Sequence, residues 1–461
     1  MFSSVRKGLN RALATTLTTV MLGGGLLGLG SGQHSAEAAG ATHSYLVNAR
    51  TPQQTAAAQA AAVKAGGKVV QSWPQIGVIV VRSTNPNYLR SLSRQRNKAV
   101  LSAGDARMEA AREKAVTGRS VAVPATVRKV TSATSPSASR AKTDPMARKQ
   151  AHLGVVRATS AQQLTLGSRS VVVGVLDTGI DDRHPDLKAN FSRADSIDCT
   201  AGGRPNTANQ AWRGNDSHGT HVAGTIAAAR NGYGVTGVAP NVKVASVKVV
   251  NSAGESFPEY LVCGFMWSGM RQLTVTNTSL NLFDLWCGEL GITGPARLSV
   301  TRAINYAAGR GVLHVSSAGN AGMDVSWQRG ETCHDPVAES PNVLHVASVT
   351  NKGRLSEFSS YGRRMVDIAA PGEGVLSDST GRGFEKRTGT SQAAPQVAGT
   401  LALMKSRKPS ASNTRLVSTL RKTTKAVLLR TVGPDCRGTA RNNSCTGAGQ
   451  LDSYAAVKAI R

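Results

Sequence analysis

Three residues in this sequence are of types that together carry out nucleophilic catalysis. Asp177 ends an apolar run, His218 precedes a run of small residues, and Ser391 opens a predicted helix. Hydrolysis by a serine requires a hydroxyl, an imidazole that takes its proton, and a carboxylate that fixes the imidazole tautomer and stabilises its charged form. Taken singly, each residue also has a structural interpretation: a turn cap, a core histidine and a helix N-cap.

Metal binding is an alternative interpretation of the same residues. Asp177 alone is compatible with orienting a histidine, binding a metal ion or capping a turn. His218 and His221 are three residues apart, but the H-E-x-x-H pattern of zinc proteases is absent and no nearby cysteine completes a site. The pattern therefore gives no support for zinc at this histidine pair.

From about residue 168 onward, predicted strands and predicted helices alternate along the chain, and these elements must position the three residues. Strands rich in valine, isoleucine and leucine, separated by helices, are typical of a mostly parallel sheet covered on both faces. We therefore expect an α/β fold, a three-layer sandwich with a mostly parallel central sheet. The predicted strands are 170–177, 242–250, 273–280, 311–319, 343–349 and 366–370, and the predicted helices are 218–230, 256–271, 297–310 and 391–407.

The first 150 residues are organised differently. A basic start, an uncharged stretch and the small-x-small pattern Ala36-Glu37-Ala38 predict a signal peptide over 1–39. Residues 40–108 follow a β-α-β-β-α order and predict a small α+β domain. Residues 109–150 are rich in Ser, Thr, Ala, Lys and Arg without an apolar period, which indicates a basic linker with a processing site. The remaining residues, 151–461, form the predicted α/β domain.

Composition excludes several classes of protein. A hydrophobic content of 40% in 461 residues is too high for a wholly disordered chain. The sequence is also not a small disulfide scaffold, a collagen or a multi-span membrane protein. The net charge of +28 is compatible with binding to nucleic acid or an anionic surface, but a solvated, arginine-rich surface is the favoured interpretation.

The six cysteines are expected to form disulfides, because the predicted export signal places them in an oxidising compartment. Six cysteines allow fifteen connectivities. Proximity in the sequence suggests only one pair, Cys436–Cys445.

Four segments, taken together, closely resemble the signatures of the subtilisin-like serine protease family: DTGIDDRHPDL, HGTHVAGTIAA, SSAGNAG and GTSQAAPQVAG. The chain order Asp177, His218, Ser391 is also that of subtilisin, whereas α/β-hydrolases and chymotrypsin-like enzymes use other orders. The resemblance covers roughly residues 145–461. It implies that Asp177 is the orienting acid, His218 the general base and acid, and Ser391 the nucleophile.

The same resemblance implies further site residues. Asn320, in the AGN segment, matches the oxyanion-hole residue, whose side-chain amide would act together with the backbone N–H of Ser391. Substrate-binding positions are Ser279, Leu280, Asn281 and Gly319. The family commonly has glycine where this chain has Asn281, and this departure changes the expected shape of the primary pocket.

Asp186 and Asn231 match positions at which some relatives bind calcium, and oxygen ligands suit that ion. The resemblance thus predicts a structural calcium ion and no cofactor for the chemistry itself.

The sequence therefore predicts a secreted, monomeric serine endopeptidase that acts on polypeptides through an acyl-enzyme. Residues 40–108 resemble the family's propeptide, so we expect a self-inhibited precursor that processes itself. No specific nucleic acid partner is expected, and no membrane association after signal removal. Two alternatives remain: a catalytically silent peptide binder, and a basic extracellular binding protein. The second lacks the aromatic residues, interleaved with basic ones, that single-strand binders use.

Overall fold

The computed structural model describes residues 42–106, 144–280, 294–326, 335–433 and 435–461. The predicted signal peptide and most of the predicted linker lie outside these residues, as do Asn281, Cys287 and Cys333. None of the helices in the described part of the chain combines the length and the apolar character that a membrane span requires.

A parallel sheet of seven strands forms the centre of the larger part of the structure. Its strands are β5 (Val172–Asp177), β6 (Ile197–Asp198), β7 (Lys243–Lys248), β8 (Val275–Thr278), β9 (Leu313–Ser317), β10 (Val343–Val349) and β11 (Ile368–Pro371). In space they follow the order β11-β10-β9-β8-β5-β7-β6. This architecture confirms the predicted α/β fold with a mostly parallel central sheet.

Helices cover both faces of this sheet. The main ones are α5 (His218–Ala227), α6 (Pro258–Met270), α7 (Gly294–Gly309) and α8 (Thr390–Arg407). Shorter helices are α3 (Ala151–Val155), α4 (Ala158–Gln162), α9 (Asn413–Lys422), α10 (Leu429–Val432) and α11 (Ser453–Ala459).

Alternation along β5 explains why two layers of helices form. Val173 and Val175 belong to a buried cluster with residues of α5 and α8. Leu176 belongs to another cluster with residues of α6 and α7. Because successive side chains of a strand point to opposite faces, a strand that is apolar throughout must be covered twice. The three-layer arrangement follows directly from this pattern.

Five strands of the described part of this region are absent from the sequence prediction, including the paired two-residue strands β14 (Gly438–Thr439) and β15 (Asn442–Asn443). The short edge strand β6 has two residues, and the hairpin of β12 (Val375–Ser379) and β13 (Gly383–Arg387) leads into α8. The hairpin contains aspartate, serine, glycine and glutamate, which have low strand propensity. Hydrogen-bonded pairing with a neighbouring strand, rather than the preference of their own residues, therefore forms these strands.

Residues 42–106 form a four-stranded antiparallel sheet with two helices. The elements are β1 (His43–Ala49), α1 (Thr55–Lys64), β2 (Lys68–Trp73), β3 (Val78–Ser83), α2 (Tyr88–Arg94) and β4 (Val100–Asp105). The order in space is β2-β3-β1-β4. The prediction identified every element except β4, whose sequence VLSAGD contains poor strand formers and which is formed by pairing with β1. The small α+β domain thus has one strand more than the sequence indicated.

The two faces of this small sheet have different partners. Tyr45 and Val47 pack against α1 and α2. Leu46, Val78 and Val80 instead share a buried cluster with residues of α6 and α7. The described residues all lie within one compact unit that spans 42–461, so the α+β domain is docked on the outer surface of these two helices.

Two disulfides lie within the described residues. Cys436–Cys445, the pair suggested by proximity, has an S–S distance of 2.07 Å. Cys199–Cys263 links the segment after β6 to α6 across 64 positions of sequence. Sequence spacing gave no indication of this second pair.

Candidate active site

The carboxylate of Asp177 and the imidazole of His218 meet where β5 ends and α5 begins. Asp177 is the last residue of β5 and His218 is the first of α5. Gly219 permits this approach, because a Cβ there would lie 2.3 Å from the carbonyl oxygen of Gly179. Nδ1 of His218 lies 2.7 Å from Oδ1 of Asp177. The fold thus joins two side chains that the sequence analysis had paired only by family resemblance.

The contacts of Asp177 determine which nitrogen of the imidazole carries the proton. Oδ1 also accepts the backbone N–H of Thr178 at 2.7 Å. Nδ1 of His218 donates to the carboxylate, which leaves Nε2 as the nitrogen that can accept a proton. The Asp177 side chain is fully buried, whereas 20% of the His218 side chain is exposed. The imidazole of His218 therefore remains accessible from the surface.

A polar bridge connects the start of α5 to the strand that precedes α8. Arg387, the last residue of β13, donates to Oγ of Ser217 at 2.7 Å. Glu385 accepts from Ser217 at 2.6 Å and from Arg387 at 2.6 Å. Ser217 directly precedes His218, and β13 runs into the turn before Ser391. The bridge therefore connects the segment that carries His218 to the segment that carries Ser391.

Ser391 lies in the first turn of α8, where two reciprocal hydrogen bonds hold it. Pro395, one turn further along the helix, has no N–H, so the carbonyl of Ser391 lacks its helical donor. Oγ of Ser279 donates to this carbonyl at 2.9 Å. Oγ of Ser391 in turn donates to the carbonyl of Ser279 at 3.1 Å. In the part of the chain that the structure describes, this hydroxyl has no hydrogen bond to His218.

The side-chain amide of Asn320 lies beside the start of α8. Its Oδ1 accepts the backbone N–H of Thr390 at 2.9 Å and the hydroxyl of Thr390 at 2.8 Å. Because the oxygen takes both donors, the NH2 group points away from Thr390 and is left to donate elsewhere. Gly319 has a φ of +99°, a left-handed conformation that favours glycine, and it turns the chain after β9.

The predicted substrate-binding residues that the structure describes lie at the carboxyl ends of two neighbouring strands of the central sheet. Ser279 and Leu280 follow β8, and Gly319 follows the neighbouring strand β9. Leu280 is 4% exposed and packs in the core with α6 and α7. Only its backbone is therefore placed to meet a ligand. Asn281 lies outside the described residues, so its role stays a prediction.

The structure brings the two predicted calcium ligands together, since a side-chain hydrogen bond of Asn231 lowers the pKa of Asp186 against the larger effect of burial. Asp186 lies in a buried group with His184 and Asp378, whose donor atoms are all within 4.8 Å of one another. Asn231 uses its side chain to close a loop: Oδ1 accepts the N–H of Tyr233 at 2.9 Å, and Nδ2 donates to the carbonyl of Pro185 at 3.2 Å. The buried group is compatible with a metal ion, and calcium stays a prediction.

Burial governs the protonation of this group. Desolvation raises the pKa of Asp186 to about 7 and that of Asp378 well above its usual range. Desolvation also lowers the pKa of His184 to about 4. Each shift favours the uncharged form, because a charge that is removed from water loses its solvation.

Several residues of the site were missed by the sequence analysis. Thr390 holds the amide of Asn320, Pro395 leaves the carbonyl of Ser391 to Ser279, and Asp378 joins the group around Asp186. A proline in the first turns of a predicted helix was a usable signal. Asp378 had none, because it lies in a hairpin that the sequence did not predict.

Comparison with known proteins places these features in a family. Residues 168–450 match the Subtilase family. Subtilisin Savinase of Lederbergia lenta is 36% identical over 269 residues, which are 58% of this chain and 88% of that protein. An alkaline protease of Alkalihalobacillus alcalophilus is also 36% identical over 269 residues, or 62% of its length. The match therefore spans less than two thirds of that second relative.

A solved structure has a similar fold over most of this chain. Fervidolysin from Fervidobacterium pennivorans, described as a keratinolytic enzyme related to subtilisin, aligns with a TM-score of 0.67 at 22% identity. The alignment covers 92% of this chain and 62% of that structure. At this identity the comparison supports the fold alone.

Proposed function

Because this chain belongs to the subtilase family of serine proteases, we propose that it is a serine endopeptidase with Asp177, His218 and Ser391 as its catalytic residues. The observation that carries the proposal is the 2.7 Å contact between Nδ1 of His218 and Oδ1 of Asp177 at the ends of β5 and α5. This contact prepares Nε2 to take the proton of Ser391. No cofactor is required for this chemistry.

The reaction proceeds through an acyl-enzyme. Oγ of Ser391 attacks the carbonyl carbon of the scissile peptide bond while Nε2 of His218 takes the hydroxyl proton. The proton then passes to the leaving amine as the C–N bond breaks, and water repeats the sequence to release the acid. Asn320 donates through Nδ2 to the oxygen that becomes negative during each attack.

The hydroxyl must first leave the carbonyl of Ser279. That carbonyl lies just after the carboxyl end of β8, where the predicted substrate-binding segment would pair with an extended polypeptide. A backbone N–H of the substrate can replace the hydroxyl as donor to Ser279. Substrate binding would thereby release Oγ of Ser391 for its contact with His218.

The N-terminal α+β domain is the propeptide in this proposal, and it inhibits the enzyme until it is cut off. Arg302 on α7 donates to the carbonyls of Ala49 at 2.9 Å and Ile76 at 3.2 Å. Nδ2 of Asn48 donates to the carbonyl of Pro295 at 2.8 Å. These polar contacts surround the apolar contact of Leu46, Val78 and Val80 with the helices. A monomeric, secreted precursor that cleaves itself between this domain and residue 151 accounts for the arrangement.

The direct test measures the intact mass of the protein secreted by cells that express it, beside that of Ser391→Ala. We expect the active protein to lose its N-terminal third and to react with a fluorophosphonate, a probe of activated serines. Ser391→Ala should keep the N-terminal third and remain unlabelled, with a loss of turnover of about 10⁶-fold, the magnitude known for subtilisin.

Ser410→Ala is the matched control, since Ser410 lies exposed just after α8. It should behave like the unchanged protein. An unchanged protein that stays full length and takes up no probe would contradict the proposed activity. In another outcome, the unchanged protein and Ser391→Ala are trimmed alike while only the unchanged protein is labelled. That result would support the proposed activity and contradict self-processing.

A further inference from the structure

A strongly basic cavity lies away from the candidate active site. Its volume is about 580 Å³, and three stretches of chain line it: 363–367 before β11, the last two residues of α9, and 441–448 around Cys445. The charged residues of its lining are Arg363, Arg364, Arg421, Lys422, Arg441 and Asp367. Five positive charges therefore surround a single negative one.

The cavity lies at the opposite edge of the central sheet from the candidate catalytic residues. Asp367 directly precedes β11, whereas Asp177 ends β5 and Ser279 directly follows β8. Because these strands are parallel, their amino ends lie along one edge of the sheet and their carboxyl ends along the other. A ligand in the cavity would therefore leave the substrate site open.

Hydrogen bonds between the three stretches hold the cavity together. Arg421 on α9 donates to Oδ1 of Asp367, and the N–H of Ala448 donates to the carbonyl of the same aspartate at 2.9 Å. Nη1 of Arg441 donates to the carbonyl of Thr424, just after α9, at 2.8 Å. The basic residues are thus carried by segments that fix one another.

The loop that carries Arg441 is also organised internally. Oδ1 of the buried Asn443 accepts the N–H of Cys445 at 3.0 Å and that of Thr446 at 2.7 Å. The disulfide between Cys436 and Cys445 closes the same loop across nine positions of sequence. The backbone is therefore in place before a ligand binds, and such preorganisation lowers the entropic cost of binding.

The positive charge of the cavity is largely uncompensated by its own lining. Asp367, the acidic residue of the lining, pairs with Arg421. Among the described residues, Arg363 and Lys422 have neither an ion pair nor a side-chain hydrogen bond, and Arg441 donates to a backbone carbonyl alone. Like charges that are held close together repel one another, so an anion is the natural occupant.

Helix capping does not account for this cluster. Arg421 and Lys422 end α9, where positive charge complements the helix dipole. Arg363, Arg364 and Arg441 come from other segments. Arg364 moreover has a φ of +69°, a left-handed conformation that is unfavourable for arginine, and such strain concentrates at functional sites.

We propose that this cavity binds a ligand with closely spaced phosphate groups, such as a short polyphosphate chain. Guanidinium groups donate two parallel hydrogen bonds to phosphate oxygens, and a phosphate group carries more negative charge than a carboxylate. The volume of about 580 Å³ is within the usual range for small ligands. No aromatic residue is among the described residues of the lining, so nucleic acid bases would find no side chain on which to stack.

This inference does not depend on the proposed protease function, because the cavity and the candidate catalytic residues share no segment. A bound polyphosphate chain would bridge α9 and the disulfide loop. It should therefore stabilise the folded protein without competing with a polypeptide substrate.

The test uses the full-length Ser391→Ala protein, so that the same sample serves whether or not the chain processes itself. Isothermal titration with sodium tripolyphosphate at low and at raised salt concentration gives stoichiometry and affinity. We expect one equivalent, weaker binding at raised salt, and a higher melting temperature when the ligand is present.

Two double variants, made in this Ser391→Ala protein, separate the cavity from the charge of the whole chain. Arg363→Gln with Lys422→Gln should weaken tripolyphosphate by at least about 10-fold, since hydrogen bonds between charged partners are lost. Because both side chains are exposed, the melting temperature without ligand should not change. The matched control is Lys188→Gln with Arg204→Gln, which removes the same charge from exposed positions on either side of β6 in the chain. Its affinity should equal that of the parent.

Two further ligands test the chemical class. Citrate, which carries three carboxylates, and a thymidine oligonucleotide with three phosphate groups should both bind more weakly than tripolyphosphate. Equal affinity for citrate would overturn the preference for phosphate, and tighter binding of the oligonucleotide would show that the site is for nucleic acid. Absence of binding at low salt, binding of several equivalents, or equal affinities of the two double variants would each overturn the inference.

Discussion

At the scale of single residues, orientation matters as much as identity. An asparagine beside a serine can present either its oxygen or its NH2 group to a substrate. Thr390 decides between them, because its N–H and hydroxyl both donate to Oδ1 of Asn320. In the proposed mechanism the NH2 group is therefore preorganised as a donor before any negative charge develops, and such preorganisation is the main source of oxyanion stabilisation.

Substitutions at Asn320 and Thr390 should distinguish the effect of losing the side-chain amide from the effect of losing a hydrogen bond that orients it. Asn320→Ala should lower kcat by about 10²–10³-fold with little change in KM, because the interaction exists mainly in the transition state. Thr390→Val removes one of the two bonds to Oδ1 and should cause a smaller loss of kcat. Steady-state kinetics on a peptide substrate would measure both. Equal losses in the two variants, or a loss confined to KM, would contradict this division of roles.

At the scale of elements, the central sheet buries polar side chains as well as apolar ones. His314 on β9 is 1% exposed and is paired in register with Thr276 on β8. Oγ1 of Thr276 lies 2.6 Å from Nδ1 of His314, and the ring of Phe265 packs edge-on at 5.3 Å. Burial lowers the pKa of His314 to about 4.

This histidine should make the fold sensitive to acid. The unfolded chain binds its proton near pH 6.5, whereas the folded protein does so only near pH 4. The unfolded state thus holds more protons on this residue between these values, so His314 lowers stability as pH decreases through that window, by about 3 kcal/mol for this one group. Denaturant unfolding of Ser391→Ala at pH 7 and pH 4.5 would show the loss.

His314→Gln, made in the same Ser391→Ala protein, should reduce the difference between the two pH values by up to about 3 kcal/mol. The buried His152, His184 and His221, whose pKa values burial also lowers, keep their own contributions. His43→Gln is the control, since His43 is not buried, and it should leave the difference unchanged. If His314→Gln loses as much stability on acidification as its parent, other groups cause the loss.

At the scale of the whole molecule, α7 serves two domains at once. One side of the helix packs with α6 against the central sheet, and the other side packs against the small antiparallel sheet. Arg302 is central to the second contact, since one nitrogen of its guanidinium reaches the carbonyls of Ala49, Ile76 and Gly77. Hydrogen bonds from a charged donor to partly buried carbonyls are worth about 1.5–3 kcal/mol each.

Arg302→Ala should therefore weaken the hold of the α+β domain on the cleaved protein by about 10-fold or more. The fraction of the N-terminal fragment that stays bound after processing, measured by size-exclusion chromatography, reports this directly. Arg297→Ala lies on the same helix but removes a contact to Glu339 at 3.4 Å within the larger domain, so its fragment should stay bound. Equal retention in both variants would show that the apolar contact alone holds the domain.

Much of this architecture was predictable from local sequence. Apolar residues lie on both faces of β5. Only a parallel sheet that is covered on both faces buries such a strand, so the sequence predicted the central fold. The strands β4, β12 and β13 were missed for a common reason. Their residues have little intrinsic preference for extended structure. Pairing forms them instead, with the distant β1 in the case of β4 and with each other across a short turn in the case of β12 and β13.

The family and the types of the candidate catalytic residues were readable from short motifs, because each motif places its chemistry within a few neighbouring positions. Tertiary structure alone decided which atoms meet. Asp378 stands beside Asp186, and Ser279 beside Ser391, across more than a hundred positions of sequence. Such pairs depend on how strands are ordered and how closely glycines let the backbone approach, and no local pattern records either quantity.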